Sequence, residues 1–526
     1  MTALDDLRSG LGTLARHPDT IGPHYLLAVG VTFAARTPLV LGAGAAVALL
    51  QSQGRIAPVI RELGAVDWQS TDPAAAAGLQ DAVLGLVTPG AVLIGLLSVV
   101  AATLVFVVAR GVADAATLDA LAAGVDGRDP LVAGTRGIGT DWAAFTAVAL
   151  VRGAVLVGGG VLLLVGVGLA ATGVGLLLGG PLLLVTLPLV LLALLLLAFA
   201  GPAIAVDGRG ALSGLGAGVR FPLRRPLAFL GYAAIVAVAV VGVVVCAVVC
   251  NLLGVPQVTA LVVLLGVTPT LDAIKVGLYA GSEAAETHAE PTPGQRADEW
   301  VFPFDERDEG SPEPSPATPG DAESSTSFRR RLVAGQRRGL RELASFLRVH
   351  PLANLAGVAT LLLGAVLGWL LTAPYGTELP LPSDVSGVFG PFAVAPFVNI
   401  AANNWLVAVA HGLGGVGLGV PTATNLLFNG ALIGGLAGVF DPTAFVAFVV
   451  PHGLVEVPAL GVSGGLGYHL GAVVYRALRG RADAETVAAE LQRAAWVVVG
   501  LVPPFVLAAF VEAFLTPRIA ALVLGG

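Results

Sequence analysis

The chain has 526 residues, of which 56% are apolar and only 12% are charged, and its mean hydropathy is +0.86. Soluble proteins carry about 25% charged residues, so this composition excludes a water-soluble protein and predicts a lipid bilayer as its main partner. The net charge of −7 is unevenly distributed, because residues 282–328 hold twelve acids and two arginines. That segment carries −10 and the rest of the chain +3. No arginine stripe lies outside the predicted membrane edges, so nucleic-acid binding is also excluded.

Two further features concern the compartment. The first twenty residues lack an apolar core with a small-residue cleavage site, so we expect the N-terminus to be retained. Cys246 and Cys250 lie four residues apart in an apolar run and are interpreted as small buried hydrophobes rather than redox or metal ligands. Lys275 is a single lysine among 28 basic residues, a composition that resembles halophilic archaeal proteins.

The first half contains six apolar runs of the length that a membrane-spanning helix needs, about 20 residues. They lie near 25–50, 82–109, 142–170, 174–200, 226–253 and 257–280. Alternating short strands are absent from the sequence pattern, so spanning helices are favoured over a barrel. Arginines concentrate before the first run and after the second and fourth runs. By the positive-inside rule, these connections and the N-terminus are predicted to be cytoplasmic.

Residues 282–328 contain seven prolines among Ser, Thr, Gly and Glu, a composition typical of a disordered linker, which we place in the cytoplasm. Within it, Trp300, Phe302 and Phe304 form either a short docking motif for a protein partner or a tethered aromatic cluster without consequence. The arginine-rich stretch 329–348 also carries Leu343 and Phe346, and it is predicted to be an amphipathic helix on the anionic inner leaflet.

The second half has five apolar runs, near 352–372, 397–419, 421–440, 443–478 and 495–516. The fourth would measure about 54 Å as one helix, so we expect it to be broken or partly re-entrant. The sequence therefore predicts an all-α, polytopic transmembrane protein of about eleven spans in two bundles. Its expected domains are residues 1–281 with six spans, the linker 282–328, and residues 329–526 with about five spans.

Polar residues interrupt the apolar runs of the second half. They are Asn399, Asn403, Asn404, His411, Asn425, Asn429, His452, Glu456, His469 and Glu512. Facing lipid would cost each a few kcal/mol, so they are expected to face the protein interior. His452 and Glu456 are four residues apart and share one face of a helix, where the carboxylate can hold the imidazole.

These motifs resemble the stage II sporulation protein M family over residues 340–518. The matching positions are the paired Asn403 and Asn404, Asn429 with Gly430, the Pro-His-Gly-x-x-Glu formed by Pro451, His452, Gly453 and Glu456, and the Glu-x-x-x-Thr-Pro that begins at Glu512. The resemblance implies a polytopic helical domain with these residues as its polar core. It also implies a component without catalysis of its own, similar to members of a complex that remodels the cell wall. The six additional spans and the acidic linker depart from the minimal family pattern.

Other functions remain open beside this non-enzymatic reading. A transporter or lipid-moving protein would use the polar core with Arg36, Arg152, His411 and His469 lining a path. The sequence Gly461-Val462-Ser463-Gly464 resembles the motif of intramembrane serine proteases, but close helix packing explains its glycines better. A metal site on the histidines would require several segments to converge, and the spacing lacks a compact ligand signature. No catalytic residue, metal or cofactor is therefore predicted, and Asp272 with Lys275 is interpreted as a structural ion pair.

Overall fold

The computed structural model describes residues 3–65, 73–172, 176–286, 328–376 and 393–524. Within these ranges the regular elements are helices, and none of the described residues lies in a strand, which confirms the all-α class. Most of the predicted linker, including Trp300, Phe302 and Phe304, lies outside the described residues. Disorder and docking in the linker therefore stay predictions.

Most of the helices before residue 287 begin at proline or beside glycine. The fixed φ of proline suits the first helical position, and glycine is common where a helix has just ended. They are α1 (Ala3–Arg16), α2 (Pro18–Phe33), α3 (Arg36–Ser52), α4 (Ile56–Ala65), α5 (Pro73–Leu84), α6 (Pro89–Val125), α7 (Pro130–Thr140), α8 (Trp142–Ala170), α9 (Leu176–Leu197), α10 (Ala200–Asp207), α11 (Ala211–Arg224), α12 (Pro226–Leu252), α13 (Pro256–Val262) and α14 (Thr268–Glu286). A π-helical turn, Val263–Val267, joins α13 to α14.

The helices after residue 327 carry the polar residues that interrupt the apolar runs of the second half. They are α15 (Phe328–Val349), α16 (Pro351–Thr372), α17 (Val394–Leu413), α18 (Val420–Val439), α19 (Pro442–Leu478), α20 (Ala484–Gly500), α21 (Val502–Phe510) and α22 (Thr516–Leu524). A second π-helical turn, Val511–Leu515, joins α21 to α22.

The described residues contain ten helical segments long and apolar enough to cross a membrane, six before residue 287 and four after residue 327. The chain is therefore a multi-pass membrane protein. The difference from the eleven predicted spans is α17, which forms a helix of 20 residues in the expected place. Its asparagines and His411 lower its hydropathy, and it is not among the ten segments.

The predicted break in 443–478 is wrong, because α19 is one helix of 37 residues with Pro451 and Pro458 inside it. Neighbouring helices tolerate such prolines in membranes by satisfying the freed backbone groups. At about 1.5 Å per residue, α19 measures about 55 Å, so it must tilt or extend beyond the hydrocarbon layer. The glycines at Gly461 and Gly465 lie against α16, so they allow close packing rather than a re-entrant turn.

The two predicted bundles share one hydrophobic core. Leu27 and Val31 of α2 belong to the same buried cluster as Leu413 of α17 and Phe505 of α21. Helix α2 also packs directly against α17 and α20. A Cβ atom added to Gly30 would overlap backbone atoms at the end of α17. The first half of the chain thus forms part of the interior of the second half.

Helices α16 and α18 approach each other closely through small residues. A Cβ atom added to Gly430 would overlap the Leu361 carbonyl, and one added to Gly434 would overlap the Ala365 carbonyl. Such small-residue faces replace the hydrophobic driving force that helices lack inside a bilayer. This contact fixes the rotation of α18, on which the neighbouring Asn429 contacts His411 of α17.

The arginine-rich segment forms the predicted amphipathic helix, α15. Leu343 and Phe346 on its apolar face are only 8% and 7% exposed. Arg338 stacks 4.5 Å above the Trp496 ring of α20. Part of the apolar face therefore packs on protein and not on lipid.

Candidate functional site

Three helical segments line an open polar pocket of about 290 Å³. Its lining contains most of the polar core predicted from the motifs. The lining residues are Asn399, Ile400, Asn403, Asn404, His452, Glu456 and Glu512. The structure therefore brings together five of the motif positions, which are Asn403, Asn404, His452, Glu456 and Glu512.

Helical spacing explains how each segment presents its side chains. Asn399 and Asn403 are four residues apart on α17, and His452 and Glu456 are four apart on α19, so each pair shares one helix face. Glu512 lies in the π-helical turn Val511–Leu515. An extra residue in a helical turn rotates the following side chains, and such turns are frequent at functional sites.

The pocket contains a compact group of three ionisable side chains. One ligand atom each from His452, Glu456 and Glu512 lies within 4.8 Å of the other two. The Nδ1 atom of His452 is buried and has no hydrogen-bond partner within the described residues. The predicted His–Glu pair thus has a third member, Glu512, from a segment far away in sequence.

The asparagines around this group connect it to both halves of the chain. Asn403 donates from Nδ2 to Asn404 Oδ1 at 3.2 Å. Asn399 accepts at Oδ1 from the backbone N–H of Gln257, the second residue of α13, at 3.1 Å. Gln257 was not predicted from the sequence. It contributes only its backbone N–H at the start of a helix, a donor that nearly every residue type supplies.

Asn429, which the motifs placed in the same polar core, lies instead in a second cluster with His411 and Ser463. His411 is 1% exposed, with Nδ1 at 3.3 Å from Ser463 Oγ and Nε2 at 3.3 Å from Asn429 Nδ2. Ser463 Oγ also donates to the Leu460 carbonyl at 2.7 Å. Since the amide of Asn429 donates, Nε2 is the acceptor, and Nδ1 carries the proton that it donates to Ser463.

A second cavity of about 470 Å³ lies beside this cluster, between α3, α17 and α18. It is lined mainly by apolar side chains together with Arg36, His411, Asn425 and Asn429. The guanidinium carbon of Arg36 lies 3.9 Å from the centre of the Phe33 ring. Two residues predicted to line a path, Arg36 and His411, therefore do share a cavity.

The other two predicted path residues lie elsewhere. Arg152 binds Asp114 at 3.4 Å and donates to the Leu197 carbonyl at 2.9 Å. His469 pairs through Nε2 with Glu490 at 3.1 Å. These contacts satisfy both side chains outside the two cavities.

His469 also contacts a titratable neighbour just before α16. The ring centres of His350 and His469 are 4.1 Å apart. Burial, and then the nearby His469, lower the pKa of His350 below its usual 6.5. His350 is therefore held mainly in its neutral form at pH 7.

The remaining motif positions serve backbone packing. Gly430 faces α16, as described above, and Pro451 lies inside α19 one residue before His452. A Cβ atom at Gly453 would meet a single side-chain atom of Val449 at 4.0 Å, so its position is open. None of these three lines the polar pocket.

Two structural interpretations from the sequence can be compared with the fold. Lys275 Nζ lies 2.7 Å from Asp272 Oδ1, which confirms the ion pair, and Tyr25 donates to Asp272 Oδ2 at 3.0 Å. The sulfur atoms of Cys246 and Cys250 are 3.8 Å apart as free thiols, and of the two residues expected to be buried, Cys250 is buried but Cys246 is only partly buried.

Part of the C-terminal half is similar to known proteins. Residues 357–517 match the family model of stage II sporulation protein M, which confirms the resemblance predicted from the motifs. The chain is also 28% identical over 133 residues to an uncharacterized protein of Methanocaldococcus jannaschii, covering 24% of this chain and 75% of that protein. No solved structure is significantly similar to the chain.

Proposed function

We propose that this chain, whose residues 357–517 match the stage II sporulation protein M family, is a non-enzymatic membrane component that organises the cell envelope by binding. Its polar pocket, lined by Asn403, His452, Glu456 and Glu512, is the binding site in this proposal. The orientation of the Ser463 hydroxyl carries the argument against catalysis. The family match supports the role in a complex.

Serine hydrolysis requires a histidine nitrogen that accepts the serine proton. The hydroxyl of Ser463 points its proton at the Leu460 carbonyl, and His411 donates to Ser463 rather than accepting from it. Ser463 is also fully buried, so substrate has no access to its oxygen. This hydrogen-bond network favours helix packing over acyl transfer.

A transport function has less support. The four residues assigned to a path occupy three separate places in the fold, and two of them, Arg152 and His469, are held by the carboxylates of Asp114 and Glu490. A path through the bilayer needs polar groups that line one continuous cavity. The arrangement therefore favours two separate polar sites over one continuous transport path.

The surface of α15 supports an orientation for the protein in the membrane. Arg330, Arg341 and Arg348 are exposed along this helix, next to the shared core of the two halves. Such basic side chains bind anionic headgroups of the inner leaflet. We therefore place α15, the linker 282–328 and the N-terminus in the cytoplasm. We also retain residues 1–281 and 329–526 as two domains that fold around one core.

A photo-crosslinking amino acid at Ile400, which lines the pocket, tests this proposal in cells. We expect a discrete membrane partner to be crosslinked by the full chain. The crosslink should be lost in His452→Gln and Glu456→Gln but retained in Ser463→Ala, because Ser463 lies outside the pocket.

Two results would contradict the proposal. One is hydrolysis of a lipid or protein that disappears in Ser463→Ala. The other is solute uptake by proteoliposomes that His452→Gln abolishes while the crosslink persists.

A further inference from the structure

The group formed by His452, Glu456 and Glu512 differs from an ordinary membrane polar cluster in its donor atoms. It combines one imidazole nitrogen with two carboxylates around a cavity. We propose that these three side chains bind one divalent cation of the first transition series within the membrane-spanning region. The proposal is independent of the identity of any protein partner.

The distances suit such a cation. Zinc–ligand bonds of about 2.0–2.2 Å place neighbouring ligand atoms roughly 3.5 Å apart in a tetrahedron. The three donor atoms already lie within 4.8 Å of one another, so each has to move by about an ångström or less. Side-chain rotation within the pocket supplies that movement without a backbone shift.

The charges of the pocket lining also favour a bound cation. Within the described part of the chain, the pocket lining holds two carboxylates and no lysine or arginine. Two uncompensated carboxylates are costly at membrane depth. A dication balances both carboxylates, and coordination through Nδ1 would also give this orphaned atom of His452 a partner.

The donor chemistry narrows the choice of metal. Imidazole suits Zn²⁺ and Fe²⁺, carboxylate and amide oxygens suit Mn²⁺, and no thiolate lines the pocket among the described residues. Asn403 and Asn404 lie beside the three ligands, where an amide oxygen can bind the cation or orient a bound water. We therefore expect Zn²⁺ or Mn²⁺ in an oxygen-rich site with an open position.

The test uses the purified full chain in nanodiscs, stripped with chelator and titrated with Zn²⁺, Mn²⁺ or Co²⁺ alone. We expect saturation at one equivalent, and Co²⁺ should give visible absorption bands of nitrogen and oxygen coordination. His452→Gln and Glu512→Gln should each weaken binding at least ten-fold. Glu485→Gln removes an exposed glutamate at the start of α20 and should leave binding unchanged.

The Co²⁺ titration of the unchanged chain keeps the proposal falsifiable if a variant fails to fold. Absence of saturable binding to the unchanged chain overturns it. So does binding that survives in both variants, or binding that is lost in His469→Gln, because that result places the metal beside Glu490.

Discussion

Replacing Gly430 with alanine tests whether the close approach of α16 and α18 holds the C-terminal helices together. The new Cβ atom would overlap the Leu361 carbonyl and approach the Ala365 nitrogen and the Gly364 Cα atom. All three are backbone atoms, so no side-chain rotation can relieve the overlap. The two helices have to separate.

The magnitude follows from two opposing effects. Overpacking a close contact costs about 1–3 kcal/mol, and a purely backbone contact belongs at the upper end of that range. Alanine recovers up to about 1 kcal/mol because it loses less backbone entropy than glycine in a helix. We therefore expect Gly430→Ala to lower the free energy of unfolding by about 2 kcal/mol.

Gly435 on the same helix is the matched control. A Cβ atom there would lie 3.7 Å from the Thr372 methyl carbon, an ordinary contact. Gly435→Ala should be neutral or stabilising by up to about 1 kcal/mol. Unfolding in mixed micelles, followed by tryptophan fluorescence, measures both variants. Equal stability of the two variants would refute the packing argument.

Two further predictions concern charged groups. Lys275→Met should destabilise the protein by about 3 kcal/mol, because it removes the ion-pair partner of the buried Asp272, which keeps its hydrogen bond from the Tyr25 hydroxyl. The double variant Lys275→Met/Asp272→Leu should recover much of that loss in the same unfolding assay, and a double variant no better than the single one would contradict this account. The pKa of His350 is lowered in the folded state, so the unfolded chain binds more protons below pH 6.5, and stability should fall as the pH drops through that value. Melting temperatures between pH 5 and 7.5 should show a weaker pH dependence in His350→Gln, and an identical dependence would mean that groups other than His350 are responsible.

Hydropathy predicts most of the spans because the bilayer imposes the same requirement on each apolar run. Helix α17 was also expected, as the run 397–419, but it is not among the ten segments apolar enough to qualify, because the asparagines that make it informative lower its hydropathy. The expected break in α19 failed for a related reason. Pro451 and Pro458 break helices in water, whereas neighbouring helices compensate for them within a membrane protein.

The candidate site was predicted only in part. The four-residue spacing of His452 and Glu456 placed them on one helix face, and the pocket contains both. Local spacing carries no information on contacts between distant helices. The arrival of Glu512 beside them, and the separation of Asn429 into a cluster with His411, could therefore not be derived from periodicity.

The position of α2 inside the shared core has a consequence for biosynthesis. Ribosomes deliver the N-terminal half first, so α2 is already in the membrane when α17 and α20 emerge. The sporulation-protein-M-like helices thus mature against a surface that precedes them. A fragment expressed from residue 329 onward would leave Leu413 without the α2 residues that cover it, and lipid or a second copy would have to replace them.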